Sequence, residues 1–140
     1  MRYLLDSNIF VYWTTDLNAL SNDVLTALNE PDALLYISSA SVMELVVGYN
    51  HKSFDIRGWK SAEEMVWTIT NVYNIEILPF KEEHLMTFAR LRINQAQGHK
   101  DPFDHMIISH AITEQLTLVS SDRRFPYYRR QGLKLLYNER

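Results

Sequence analysis

Tyr3-Leu4-Leu5-Asp6-Ser7-Asn8 sets three apolar residues directly before three of the side chains best suited to start a helix. Asp, Ser and Asn accept hydrogen bonds from the free N–H groups of a first helical turn, so this stretch reads as a short buried strand passing at once into a helix over Ile9 to Trp13. The same alternation recurs outward from it. Leu20 to Leu28 is helical in spacing. Ala33 to Ser38 is a continuous apolar run, the kind buried on both faces of a parallel sheet, and Val42 to Gly48 follows with helical periodicity. Trp59 to Tyr73 predicts a long helix with Met65, Trp67, Ile69 and Val72 as core candidates. Glu76 to Phe80 is a third strand candidate closed by Pro79. Leu85, Phe88, Ala89, Leu91, Arg92 and Ala96 then mark an amphipathic helix ended by Gly98. Asp101 as N-cap and Pro102 as first helical residue restart the chain into a helix with an apolar stripe through Ile107, Ile108, Ala111 and Ile112. Thr117 to Ser120 and Leu133 to Tyr137 complete five strands. Such strict alternation predicts one α/β domain over residues 1–140, with a mostly parallel sheet between helices.

Composition narrows the function. Of 140 residues, 46% are hydrophobic and 22% charged, which is the ordinary globular balance. The longest stretches free of Asp, Glu, Lys and Arg are eleven residues (33–43 and 65–75), too short for the roughly 20 that span a bilayer. The first apolar run breaks at Asp6, so no secretory leader is expected. The sequence has no cysteine, which removes disulfides, thiolate catalysis and Cys-ligated zinc; a cytoplasmic location is expected. Net charge is -3, but it is unevenly spread: residues 1–50 carry one cation against six acids, and residues 121–140 carry six cations against two. An acidic front and a basic tail suggest a carboxylate site beside a phosphate-contacting surface.

The acids fall where such a sheet binds ligands, beyond the carboxyl ends of its strands. Asp6 follows the first strand, Asp122 the fourth, and Glu44 lies about a turn past the second. Asp101 and Asp104, three apart at a helix start, share a face. Each has a plain structural role available: Asp6 and Asp101 as N-caps, Glu44 in a capping box with Ser41, Asp104 at a helix dipole, Asp122 in a turn. Those roles do not explain why all five gather at one edge. Converging carboxylates repel and take up protons unless a cation is present. Oxygen-only ligands favour Mg²⁺ or Mn²⁺ over zinc. Carboxylate-held Mg²⁺ typically serves phosphoryl transfer.

Leu4-Leu5-Asp6-Ser7-Asn8, Ser41-x-x-Glu44-Leu45, His99-Lys100-Asp101-Pro102-Phe103-Asp104 with Met106-Ile107-Ile108-Ser109-His110-Ala111, and Leu118-Val119-Ser120-Ser121-Asp122 with Phe125 together resemble PIN-domain ribonucleases, in particular the VapC-like toxins of type II toxin–antitoxin pairs. The resemblance implies a three-layer α/β/α domain and a Mg²⁺- or Mn²⁺-dependent endoribonuclease acting on single-stranded or loop RNA. It also implies a homodimer bound by a cognate antitoxin. By motif, Asp6, Glu44, Asp104 and Asp122 are the catalytic and metal-holding acids. Asp101 is an additional candidate: in the Asp-Pro-Phe-Asp run both acids are available, and aligning the apolar stripe puts Asp104 in the usual slot. Ser109 and His105 depart from the family's common Ala and Arg. Residues 51–67 match nothing diagnostic.

Arg123-Arg124-Phe125-Pro126-Tyr127-Tyr128-Arg129-Arg130 interleaves cations with aromatics just after Asp122, as phosphate and base contacts would. The candidate RNA contacts are Arg123, Arg124, Lys100 and Asn8, with Phe125 expected in the core. Trp13, Trp59 and Trp67 read as core or interface residues. Two other functions remain open: a non-catalytic PIN-like binding module, and a different metallohydrolase built on His99, Asp101, Asp104 and His105, which lacks any His-Glu-x-x-His companion.

Overall fold

Strand β1 (Arg2–Leu5) forms the middle of a five-stranded sheet, parallel throughout, in the order β3 (Ile75–Leu78), β2 (Leu34–Ser38), β1, β4 (Thr117–Ser120) and β5 (Lys134–Tyr137). The structure is a computed structural model and describes residues 1–139; Arg140, one cation of the basic tail, lies outside the described residues. After β1 come α1 (Ser7–Thr15), α2 (Asn22–Leu28), β2 (Leu34–Ser38), α3 (Ser39–Asn50), α4 (Ala62–Asn71) and β3 (Ile75–Leu78). The chain then crosses back through α5 (Glu82–Arg90) and α6 (Pro102–Glu114) to β4 (Thr117–Ser120) and β5 (Lys134–Tyr137), with a 3₁₀ segment over Phe125–Gln131.

Alternation along each strand splits the core in two. Tyr3, Leu5, Ile37 and Val119 face Ile9, Phe10, Leu45, Met65 and Ile69 on one side. Leu4 and Leu118 face Ile107, Ile108, Ala111, Phe125 and Tyr128 on the other. A parallel sheet buried on both faces between two helix layers is the three-layer α/β/α arrangement. No helix among the described residues is long and apolar enough to cross a membrane.

Strand order fixes the site's location. The chain moves outward from β1 to β2 and β3, then returns to lay β4 on the opposite side of β1. The order therefore reverses between β1 and β4, and a crevice opens beyond their carboxyl ends at such a switch point.

Three expectations need correction. The helix after β3 does not run to Ala96: α5 stops at Arg90, Leu91 is extended, and a separate 3₁₀ turn over Gln95–Gln97 is the one closed by left-handed Gly98. Tertiary bonds replace helical ones there, because Gln131 takes both backbone groups of Arg92 and the Tyr128 hydroxyl accepts from Asn94 N–H. The helix expected from Trp59 begins at Ala62, since Ser61 caps it through Glu64 N–H. On it, Met65 and Ile69 are buried, whereas Trp67 and Val72 are 58% and 56% exposed. Trp59 stays in the core outside the helix, stacked on Phe10.

Candidate metal centre

Asp6 sits where β1 becomes α1, its backbone N–H still bonded to Val119 O of β4. Its Oδ1 accepts from Ser7 N–H at 2.8 Å and its Oδ2 from the Ser120 hydroxyl at 2.7 Å. The same Ser120 hydroxyl accepts from Asp122 N–H, tying the ends of β1 and β4 together. Glu44 reaches the site from α3, where its Oε1 accepts from the Ser7 hydroxyl at 2.7 Å. A capping box is not its role: α3 is capped by Ser38, and Ser41 lies inside the helix. Asp101 caps α6 through Phe103 N–H, and Asp104 projects one turn on.

The structure brings the carboxylates of Glu44, Asp101 and Asp122 together around Asp104. Ligand oxygens of Glu44, Asp101 and Asp104 lie within 4.8 Å of one another, as do ligand atoms of His99, Asp104 and Asp122. Asp6 belongs to neither group, but its charge acts on Asp104. Asp104 is only 7% exposed; burial, then the charges of Asp6, Asp101, Asp122 and Glu44, push its carboxyl up to about 8. Asp6, 3% exposed, is pushed up to about 7, mainly by burial and further by Glu44 and Asp122, against its hydrogen bonds. Glu44 is raised by burial and by Asp101. Asp122 goes the other way: burial raises it, but the bonds from Arg124 together outweigh burial and leave it lowered. Arg124 donates to Asp122 at 2.7 and 3.0 Å and lies 3.6 Å from Asp104.

Two acids raised in this way are costly to ionise near neutrality unless a cation takes the place of the protons. Hard oxygen donors at such spacing fit a divalent ion of the Mg²⁺ or Mn²⁺ type. The other predicted residues line the rim. Arg123 and Lys100 are exposed. Asn8 Oδ1 is buried without a hydrogen-bond partner and borders a cavity of about 440 Å³ that runs from Ser7 and Glu44 over Val47 and Phe54. A second cavity of about 450 Å³ adjoins His99, Lys100 and His105.

Sequence reasoning assigned no site role to Ser7 or Ser120, and read Tyr128 only within the run of cations and aromatics that follows Asp122. The two serines sit inside the quoted motifs beside acids, which is the signal that points to them. For Tyr128 that run suggests a base contact, and the role it takes is a different one. Its hydroxyl accepts from Asn94 N–H at 3.0 Å and lies 2.9 Å from His99 Nδ1, while His99 Nε2 lies 2.9 Å from Asp104 Oδ2. Every group is satisfied when Tyr128 donates to Nδ1 and Nε2–H donates to an ionised Asp104, a support of the type that orients metal ligands. The four-residue site on His99, Asp101, Asp104 and His105 is not assembled: His105 packs its ring on His99 and its Nε2 has no partner.

Ligand atoms of His84, His110 and Glu114 form one more close cluster. It is poorly suited to a metal. Lys81 N–H donates to His84 Nδ1 at 2.7 Å, so the ring proton belongs on Nε2, where it meets Glu114 Oε2 at 2.7 Å. A metal at Nε2 would need that proton moved to a nitrogen already facing an amide N–H. The cluster is a clamp between α5 and α6.

A family model described as PIN domain matches residues 3–131. Among solved structures, the fold is similar to VapBC2 from Rickettsia felis bound to a DNA fragment from its promoter, at 23% identity, TM-score 0.72, and coverage of 99% of this chain and 100% of that one. It is similar to DNA-bound VapBC from Salmonella typhimurium at 18% identity, TM-score 0.66 and 98% coverage of both chains. A third match is VapBC-5 from Mycobacterium tuberculosis, a member of the VapBC family of toxin-antitoxin systems, at 20% identity, TM-score 0.60, and coverage of 99% of this chain and 98% of that one. No curated protein matches by sequence.

Proposed function

The chain belongs to the PIN domain family, and on that premise we propose that it is a Mg²⁺- or Mn²⁺-dependent endoribonuclease, the toxin of a toxin–antitoxin pair, cutting single-stranded or loop RNA in the cytoplasm. The observation that carries the reading is the gathering of Asp6, Glu44, Asp101, Asp104 and Asp122 at the β1/β4 switch, with Asp104 held up to about 8. A module that only bound a partner would have no use for that repulsion.

Asp6, Glu44, Asp104 and Asp122 would hold the ion, with Asp101 beside them. When bound, a divalent ion of this kind activates water and offsets charge on the phosphate and the leaving oxygen. Around it, the chain's own residues set the geometry. Ser120 and Ser7 lock both oxygens of Asp6, and Ser7 also orients Glu44. His99, backed by Tyr128, orients Asp104. Arg124 tempers the cluster's charge and is open enough to meet a phosphate, with Arg123, Lys100 and Asn8 further out.

The partner assignment is supported by the VapBC complexes whose fold the chain shares. Exposed Met43, Val47, Trp67, Leu85 and Met86 offer apolar surface for an antitoxin and for a second copy in a homodimer.

The test is cleavage of single-stranded RNA by the purified chain with Mg²⁺ or Mn²⁺. Activity should vanish in EDTA and leave 5′-phosphate and 3′-hydroxyl ends. Equal activity in EDTA, or cyclic-phosphate products, refutes metal-dependent hydrolysis. Expression without antitoxin should arrest growth for the wild type and not for Asp6→Asn; two harmless chains would remove the toxin reading.

A further inference from the structure

A cavity of about 410 Å³ opens on the outer layer between α5, α6 and the 3₁₀ segment, and three of its lining residues are Arg90, Arg92 and Arg130. Among the described residues, no acid lines it. Nor does any of these three guanidiniums make an ion pair or a side-chain hydrogen bond among the described residues, whereas Arg57 and Arg124 are both taken up by aspartates. Three unpaired cations converging on one concavity repel each other, and in a chain of net charge -3 nearby acids could readily have neutralised them.

The surroundings are fixed. The Gln131 side chain accepts from Arg92 N–H at 2.9 Å and donates to Arg92 O at 2.8 Å, stitching the segment after α5 to the end of the 3₁₀ turn. Two residues on, Asn94 is held by Tyr128 and by Arg124 O. The cations therefore stand on a braced surface.

Their position relative to the acids gives the pocket its meaning. Ile112, which lines it, follows Asp104 by eight residues on α6, about 12 Å along a helix. Arg130 follows Arg124 by six residues of mostly 3₁₀ chain, again about 12 Å. An acidic centre repels the phosphates it must receive, so affinity for a polyanion has to come from cations outside it.

We propose that Arg90, Arg92 and Arg130 form an exosite that grips the phosphates of single-stranded RNA about 12 Å from the acidic centre, anchoring the strand whose scissile bond enters that centre. The proposal rests on the nuclease reading for its ligand. Arginine suits the role because its fork engages phosphate bidentately.

The experiment measures binding of labelled single-stranded RNA by fluorescence anisotropy across a salt series, in an Asp6→Asn background that leaves the RNA intact. It compares that chain with the same chain carrying Arg90→Gln, Arg92→Gln and Arg130→Gln. Each phosphate contact on a single strand contributes a slope of about 0.7 in log K against log salt, so the triple variant should lose about 2 units of slope and bind roughly tenfold or more weakly at low salt. The loss should appear with an oligonucleotide long enough to span both sites and not with a dinucleotide. Arg57→Gln, which removes one positive charge from the loop before α4, should keep the slope. Matching thermal midpoints check that the triple variant is folded. An unchanged slope in the triple variant, an equal loss with the dinucleotide, or no RNA binding overturns the exosite. So does a result in which polyglutamate, and not RNA, loses affinity, which would make the partner an acidic protein segment. If the slope falls as expected but wild type cleaves no RNA, the nuclease reading fails and the exosite stands.

Discussion

Stripped of divalent ions, the folded chain should weaken as pH rises from 6.5 to 8. Asp104 is raised from 3.8 to about 8 and Asp6 from 3.8 to about 7, so the folded state keeps protons that the unfolded chain has released. Where the folded state binds more protons, stability falls with pH by about 1.4 kcal/mol per unit for each proton. Histidines act in the opposite sense, but lower down. His99 and His110 are lowered from 6.5 to about 4, chiefly by burial, and His105 is lowered too, so they add stability with rising pH mainly up to about 6.5. Above that value they still add about 0.4 kcal/mol each as the unfolded chain sheds its last imidazole protons, less than the carboxylates take away. Over the 1.5 units to pH 8, Asp104 alone accounts for about 2 kcal/mol, with a smaller share from Asp6. The net loss is about 1 kcal/mol, and with a urea slope of about 2 kcal/mol per molar the unfolding midpoint in EDTA should drop by about 0.5 M. Asp104→Asn should flatten most of that drop, because Asn keeps an oxygen for His99 Nε2–H and carries no charge. Saturating Mn²⁺ should flatten it as well, since the ion takes the protons' place. A midpoint that holds or rises between pH 6.5 and 8 in EDTA would refute the reasoning, as would an Asp104→Asn variant as steep as wild type.

Two further outcomes concern the acids and their support. Asp6→Asn and Asp104→Asn should each lower RNA cleavage by at least about 10²-fold, the scale of one lost preorganised charge contact, while Asp101→Asn costs less in rate and little in stability, because Asn keeps the oxygen that caps α6. Steady-state kinetics on the three variants decides it, and equal losses at Asp101 and Asp104 would reassign the principal ligand. His99→Gln and, to a lesser degree, Tyr128→Phe should weaken Mn²⁺ binding by about 10- to 100-fold, read by electron paramagnetic resonance titration beside the thermal midpoint. Unchanged Mn²⁺ affinity with a lowered midpoint would make the pair a packing device only.

The fold was legible because its strongest signals are local. A buried parallel strand shows as an unbroken apolar run, and all five runs became strands with ends shifted by a residue or so. The misreadings lie where distant groups outbid periodicity. Leu91, Arg92 and Ala96 keep helical spacing, yet Gln131 and Tyr128, more than thirty positions on, take the backbone groups that a continued α5 would have used. Trp67 shows the other failure. Its spacing fits α4, but a helix has two sides, and only the positions of Met65 and Ile69 face the sheet.

The site divides in the same way. Asp6, Glu44, Asp101, Asp104 and Asp122 could be expected at one edge because a parallel sheet delivers the residues just past its strands there, and the resemblance in motif singled out all of them but Asp101; the β1/β4 reversal makes that edge a crevice. Sequence left Asp101 and Asp104 as alternatives; in the fold they hold different positions. Asp101 spends one oxygen on Phe103 N–H, as a cap must, and shows the other acids a partly open carboxylate. Asp104 has no backbone bond to satisfy; it takes His99 on one side and Arg124 on the other, and it feels all four neighbouring acids. A cap keeps its charge cheaply, since a helix N-terminus welcomes an anion. An acid buried among four others does not, and it is there that a divalent ion gains most by replacing a proton.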